Sequence, residues 1–338
     1  MKYKGRSLDS KEYFLADIYN ESRGIYEYRR KEPKNESSRK NHNGLFLKTN
    51  KWSDTLHIGE LVGCLIAQKI GFKACDVELF RKHRVRNLYD IGAMSYIELS
   101  KDDSTIAAEN YIRKYKKLNN IPYPASRTVD IDTIFGAIFG LMQTEHRPYQ
   151  EYLNFKQDFI NMIIFDIKLL NADRILENWL IRKNRTTGEI DLYPMFDNSA
   201  ILGFEREVPP KIEGREEEYE KAIEAYSEEE RPISITSPKK RNKENEAENY
   251  REVLRYLLQK YPTETKKALI QAEQFTVKDL EEILDEIDPG NSSGETPIEI
   301  EPQRKQFAID AYLIREKGIK EVIQEFQIAQ KKKTEEQK

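Results

Sequence analysis

The stretch with the most chemical content is Asn171-Ala172-Asp173-Arg174-Ile175-Leu176-Glu177-Asn178. Its aspartate stands five residues before its closing asparagine, in a polar loop that follows a long apolar run. A carboxylate fixed in a loop can orient a hydroxyl and accept its proton, and an asparagine amide oxygen can ligate magnesium. Phosphoryl transfer uses the two together at this spacing. Nineteen residues on, Pro194-Met195-Phe196-Asp197-Asn198 brings a second carboxylate. Magnesium takes oxygen ligands and often only one or two carboxylates beside phosphate oxygens, so Asn178 and Asp197 suffice as its protein ligands. Singly, each of these residues is an ordinary loop former, because Asp and Asn side chains cap turns. The combination points to chemistry: acid and amide bracket one loop, and the chain returns to another acid.

Upstream, Lys48 ends the apolar run Leu45-Phe46-Leu47, and twelve residues later Glu60 falls near the start of a helical stretch. A strand lysine steadied by a helix glutamate is how kinase folds hold the α- and β-phosphates of a nucleotide. Alone, Lys48 reads more simply as the solvent-side residue of a half-buried strand. No G-x-G-x-x-G or G-x-x-x-x-G-K-[ST] occurs, which disfavours a Walker-type NTPase. Ser22-Arg23-Gly24 offers one glycine whose neighbouring backbone N–H groups could meet phosphate. Ser37-Ser38 is either a plain polar loop or a second phosphate-facing one. His42, His57, His83 and His146 have no metal-ligand spacing, and Cys64 and Cys75 form no C-x-x-C. A G-x-S-x-G elbow is absent, and the basic run over residues 81–86 reads as a solvated loop.

These residues need elements to hold them. Residues 1–20 read as a helical or irregular lead-in. Residues 24–30 and 45–49 read as two strands of a hairpin whose long polar connection closes on Asn43-Gly44. Residues 54–70 take helical spacing, with Gly71 as the stop. Strands are expected over 77–80 and 91–99, and a solvent-exposed helix over 105–118. From about residue 130 the chain reads as mostly helical (131–142, 155–170, 249–260, 263–273, 276–287, 303–330). The break in that run is a hairpin over 179–181 and 190–193, turning at Thr187-Gly188. Residues 205–248 carry fourteen acidic and nine basic side chains. They read as a long exposed insertion, helical in its Glu-rich part and disordered around 232–245. The expected class is α+β and bilobal: a β-rich part over 1–99 and a helical part over 100–338 with the embedded hairpin.

At 338 residues the chain is long enough for two cores. Lys+Arg 56 against Asp+Glu 59 leaves a net charge of -3. That balance argues against a nucleic-acid coat or a membrane-surface binder, both of which rest on basic excess. Two cysteines are no disulfide scaffold, the start has no apolar signal segment, and no apolar window spans a bilayer. A soluble cytoplasmic protein is expected.

Together these motifs resemble the HipA-like serine/threonine kinases (HipA/CtkA type), a branch of the protein-kinase-like fold, over about residues 22–198. Gly44-Leu45-Phe46-Leu47-Lys48-Thr49-Asn50 is similar to the strand bearing that family's ATP-contacting lysine. His57-Ile58-Gly59-Glu60 resembles its first large helix. Ile91-Gly92-Ala93-Met94-Ser95-Tyr96-Ile97-Glu98 resembles the strand that enters the hinge, where backbone near Tyr96, Ile97 and Glu98 would meet adenine. The resemblance implies ATP and magnesium as cofactors, Asp173 as catalytic base, Lys48 on phosphate, and Asn178 and Asp197 on the metal. It also implies a protein acceptor and, in some relatives, an antitoxin-like protein partner. One departure from that family stands out, Ile175 in place of the histidine that often follows Asp-Arg in this loop; Asn198-Ser199 after Asp197 in place of a strict D-F-G is usual for this branch.

The expected function is therefore an ATP- and magnesium-dependent protein serine/threonine kinase, with Arg174 bracing its loop and Ser22, Ser37, Ser38, Ser234 and Ser237 as candidate autophosphorylation sites. Two other readings fit the same residues: a pseudokinase or interaction module whose working surface is the charged insertion, and a kinase acting on a small molecule or lipid head group.

Overall fold

The first part of the chain forms a six-stranded sheet from β1 (Arg6–Ser7), β2 (Tyr13–Asn20), β3 (Ile25–Arg30), β4 (Gly44–Thr49), β5 (Val77–His83) and β6 (Tyr89–Ile97). The strand order is β1-β5-β6-β4-β3-β2. Every pairing is antiparallel except that of β1 with β5. This computed structural model describes residues 6–7, 13–20, 25–30, 44–49, 55–83, 89–97, 99–100, 102–121, 129–228, 233–238, 248–287 and 300–336. The expected β3–β4 hairpin is present, with Ile25 opposite Lys48 and Tyr28 opposite Leu45; its polar connection lies outside the described residues.

The lead-in is a correction. Within residues 1–20 the described parts are strands, and β2 pairs along β3. A register shift between Leu15 and Tyr19 breaks the alternation by which a strand is recognised. The run over 81–86 is corrected in part: Arg81, Lys82 and His83 continue β5 opposite Ile91, Asp90 and Tyr89.

Helix α1 (Leu56–Lys69) joins β4 to β5 and packs on β5 and β6. It is buried nearly all round, from His57 to Cys64 and again at Ile66 and Ala67, as a helix without a polar face must be. It stops where expected. Gly71 adopts φ +72°, and the Phe72 and Gly71 N–H groups bond back to the Ala67 and Gln68 carbonyls. That is a Schellman ending.

The next correction concerns residues 105–107. They belong to strand β7 (Asp103–Ala107), and helix α2 (Ala108–Leu118) begins only after it. Thr105 and Ile106 favour a strand, and β7 finds a partner in the embedded hairpin. That hairpin is β9 (Leu180–Asn184) with β10 (Ile190–Leu192), so the small sheet runs β10-β9-β7. A two-residue strand β8 (Val129–Asp130) leads into α3 (Ile131–Thr144), whose start is capped by the Asp130 carboxylate on the Thr133 N–H. Helix α4 (Tyr149–Lys168) follows, its Phe155, Phe159, Ile160, Ile163, Ile164 and Phe165 at the centre of the core.

The charged insertion is a further correction, because its described residues are part of the fold. Helix α5 (Glu216–Glu228) exposes Glu216, Glu217, Glu218, Glu220 and Glu224. It buries Tyr219, Ile223 and Tyr226 against α9 (Pro302–Glu336). Strand β11 (Ile235–Thr236), in a stretch expected to be disordered, lies parallel to β8. Helices α6 (Tyr250–Lys260), α7 (Pro262–Ala272) and α8 (Val277–Ile287) complete the helical part. Both cysteines are buried, and the Cys75 thiol donates to the Pro194 carbonyl at 3.6 Å. Among the described residues, no helix is long and apolar enough to cross a membrane.

Candidate active site

Helix α4 ends in the same Schellman geometry as α1, but with Leu170, at φ +60°, where glycine is usual. The Asn171 N–H bonds to the Asp166 carbonyl at 2.9 Å, and the Leu170 N–H to that of Ile167 at 3.4 Å. This sharp exit turns the chain back along the last turn of α4. Arg174 thereby meets Asp166 eight residues earlier, through Nε–Oδ2 and Nη2–Oδ1 bonds of 3.0 Å each. The Asn171 side chain closes the turn, with Nδ2 donating to Asp166 Oδ1 and Oδ1 accepting from the Asp173 N–H.

Asp173 and Asn178 come together across this loop. Asn178 is buried and donates through Nδ2 to the Asp173 carbonyl at 2.7 Å and to Asp173 Oδ2 at 3.2 Å. Its orientation is set, and Oδ1 faces away from those bonds. A 3-10 turn (Leu176–Asn178) brings Asn178 into place, its N–H bonding to the Ile175 carbonyl. Ile175 fills the place where the resembled family often has a histidine, and it is 9% exposed.

The second acid arrives through a short extended segment. The Met195 N–H bonds to the Lys73 carbonyl and the Cys75 N–H to that of Met195, which ties this segment to the chain after α1. Asp197 then adopts φ +55°. A non-glycine residue there costs on the order of 1 kcal/mol. Arg174 grips both of its neighbours, with Nη1 on the Phe196 carbonyl at 2.7 Å and Nη2 on Asn198 Oδ1 at 2.6 Å. A further bond from Nη1 to the Asn178 carbonyl at 3.0 Å joins the two halves of the site through one guanidinium. Burial works against the charge on Arg174, but Asp166, with Asp197 and Glu60 behind it, outweighs that effect and holds its pKa above the ordinary arginine value.

Glu60 is 1% exposed on α1, and that helix sits directly on the Asp197 segment. A Cβ on Gly59 would lie 2.4 Å from the Ser199 carbonyl oxygen, and one on Gly63 would lie 2.7 Å from the Asn198 Cβ. The Thr55 hydroxyl donates to the Phe204 carbonyl at 2.7 Å. Two glycines one turn apart therefore let the helix that carries Glu60 touch the segment that carries Asp197. Behind the loop, the Ser234 hydroxyl donates to the Ala172 carbonyl at 2.5 Å, so the stretch after α5 supports Asp173 from the rear.

The other expected residues fall as follows. Lys48 lies in β4 opposite the buried Ala93 of β6. Tyr96 is buried; its hydroxyl donates to Glu78 at 2.6 Å and its N–H to the Asp76 carbonyl, so that N–H is not on offer to a nucleotide. Ile97 ends β6. Ser22, Gly24 and Glu98 lie outside the described residues, as do Ser37 and Ser38. Ser234 and Ser237, expected as phosphate acceptors, are 7% and 2% exposed, and Ser237 Oγ bonds to Glu248 at 2.8 Å. Their packed positions correct that expectation.

Asp166 and Asn198 were not singled out by spacing. Asp166 had a signal, a lone acid within the apolar run Ile163-Ile164-Phe165-Asp166-Ile167, where an ionised group needs a buried partner. The donor set suits a hard cation: the Asn178 amide oxygen and the Asp197 carboxylate are both oxygen ligands. Among the described residues, no group of three or more His, Cys, Asp or Glu side chains is placed to hold a metal by itself.

No sequence-family model matches the chain, and no curated protein matches it in sequence. Solved structures do. The chain is similar to CtkA, a proinflammatory kinase of Helicobacter pylori, with a TM-score of 0.66 at 12% identity over 95% of this chain and 99% of that one. HipA of Shewanella oneidensis, solved with HipB and its operator DNA, matches with a TM-score of 0.45 at 11% identity, over 82% of this chain and 58% of that one. The likeness to CtkA establishes a mixed α/β fold of the kind that kinase has.

Proposed function

We propose that this chain is an ATP- and magnesium-dependent phosphotransferase acting on serine or threonine of a protein acceptor. In this proposal residues 1–99 form a nucleotide-binding lobe and residues 100–338 a helical lobe. The observation that carries it is the gathering of Asp173, Asn178 and Asp197 around one buried guanidinium, in a chain folded like a kinase.

Magnesium-bound ATP would supply the phosphoryl group and the divalent charge that neutralises it. Asn178, through Oδ1, and Asp197 would hold the metal. Lys48 from β4, steadied by Glu60 from α1, would hold the α- and β-phosphates, with backbone N–H groups at Ser22 and Gly24 also offered to phosphate. Backbone groups of Tyr96, Ile97 and Glu98 other than the Tyr96 N–H would meet the adenine. Asp173 would orient the acceptor hydroxyl and take its proton, and it is suited to this by being half-buried with one oxygen steadied by Asn178. Phosphoryl transfer asks the protein mainly for placement and charge, and fixed side chains of this kind provide both.

The test is incubation with γ-labelled ATP and magnesium, read by mass spectrometry for phosphoserine and phosphothreonine on the chain itself and on a mixed protein acceptor. Wild type should transfer label. Asp173→Asn should lose transfer by at least about 10³-fold while still binding the nucleotide. Full transfer by Asp173→Asn would refute the assignment, and binding without transfer in wild type would make the chain a pseudokinase.

A further inference from the structure

We infer that Arg174 is a positioning residue, a buried clasp that fixes the two metal-holding segments relative to each other and keeps Asp197 in its left-handed conformation before any metal binds. What the clasp serves rests on the phosphotransferase proposal; the clasp itself does not. Arg174 is fully buried, which rules out contact with nucleotide or acceptor. Its role must act through other residues. A guanidinium has five N–H donors in a fixed fork. Here five bonds leave it, two to Asp166 and one each to the Asn178 carbonyl, the Phe196 carbonyl and Asn198 Oδ1.

The acceptors fall into three groups. Asp166 belongs to α4 and anchors the fork in a bidentate grip on a rigid element. The Asn178 carbonyl belongs to the loop that carries the candidate amide ligand. The last two bracket Asp197, one residue before it and one after, so the strained residue is held from both sides. Asn198 adds a second sign of the same purpose. Its Nδ2 is buried without a hydrogen-bond partner, so the side chain is kept in place by its Oδ1 bond to Arg174. Lysine could not replace this arrangement. A single ammonium keeps the charge but cannot span acceptors on three segments.

The test uses the full chain, with Arg174→Lys and Asn198→Ala as the variants. Asn198→Ala removes one bond of the clasp together with the unpartnered amide, and covers the case in which Arg174→Lys does not fold. The first readout is amide hydrogen exchange without ligand. We expect exchange at residues 173–178 and 196–199 to accelerate about tenfold or more in either variant, with α6, α7 and α8 unchanged. The second is the magnesium concentration at half-maximal binding of a non-hydrolysable ATP analogue. It should rise about tenfold, the scale on which residues behind metal ligands act, with affinity at saturating magnesium within about twofold of wild type. Unchanged exchange in the two segments, or acceleration spread evenly over the chain, overturns the clasp. If wild type binds no analogue at any magnesium concentration, the phosphotransferase proposal fails while exchange still decides the clasp.

Discussion

His57, one turn before Glu60 on α1, is 3% exposed, and burial pushes its pKa down to about 4 from an ordinary 6.5. The unfolded chain takes up this proton near pH 6.5, whereas the folded chain resists until about pH 4. Stability from this group is therefore complete above pH 6.5 and falls as the pH drops towards 4. Between pH 7 and pH 5 the loss should be about 2 kcal/mol. Urea unfolding at the two pH values checks it: His57→Gln should show a dependence flatter by that amount. At this scale the meeting of the Asp173, Asn178 and Asp197 segments was legible because two of these residues share one loop and the third follows a hairpin. Arg174 was legible as a brace, but its grip on Asp166 was not. Nothing in a spacing of eight residues says that a leucine in the left-handed region will fold the loop back on the helix.

The close seat of α1 on the Asp197 segment depends on Gly59 and Gly63. At Gly63 the opposing atoms are the Asn198 Cβ and backbone, which cannot swing away. Gly63→Ala should cost about 1–3 kcal/mol, as overpacking usually does, and should weaken binding of a magnesium-bound ATP analogue. Gly136→Ala is the comparison: its nearest atom is the Tyr115 hydroxyl, the far end of a movable side chain, so it should cost less. Thermal unfolding and analogue titration of the two variants check both statements. Helices with strong period, such as α3, α4 and α6, were readable because their apolar positions recur over several turns. Strand β7 was hidden because its partner β9 lies more than seventy residues away, and no local pattern reports a distant pairing. Helix α5 was misread as an appendage because its glutamates outnumber the Tyr219, Ile223 and Tyr226 stripe that seats it on α9.

Across the whole molecule, α9 serves as the spine of the helical part, in contact with α4, α5, α6 and α8. Its Arg315 is fully buried, donating to the Ile167 carbonyl at 3.0 Å and to that of Ser227 while covering the Tyr250 ring at 3.7 Å. Arg315→Ala should destabilise the fold by about 3 kcal/mol, since two buried carbonyls lose a hydrogen bond from a charged donor; chemical denaturation measures it. Ligand linkage acts at the same scale. Magnesium with ATP at a hundred times its dissociation constant should stabilise wild type by about 2.7 kcal/mol, with Asp197→Ala losing most of that gain in a thermal-shift assay. The mixed class was legible from the order of strand-rich and helix-rich stretches, whereas the seating of α5 on α9 and of β11 beside β8 was not. One consequence comes from how α1 is fastened. Its front rests on the 198–204 segment; its tail is bolted down by Lys69 to Asp279 at 2.7 Å and by Gln271 to the Ile70 carbonyl at 2.7 Å. A helix pinned fore and aft cannot serve as a lever. Swinging Glu60 outward would mean breaking both holds and tearing open the core in which it is buried.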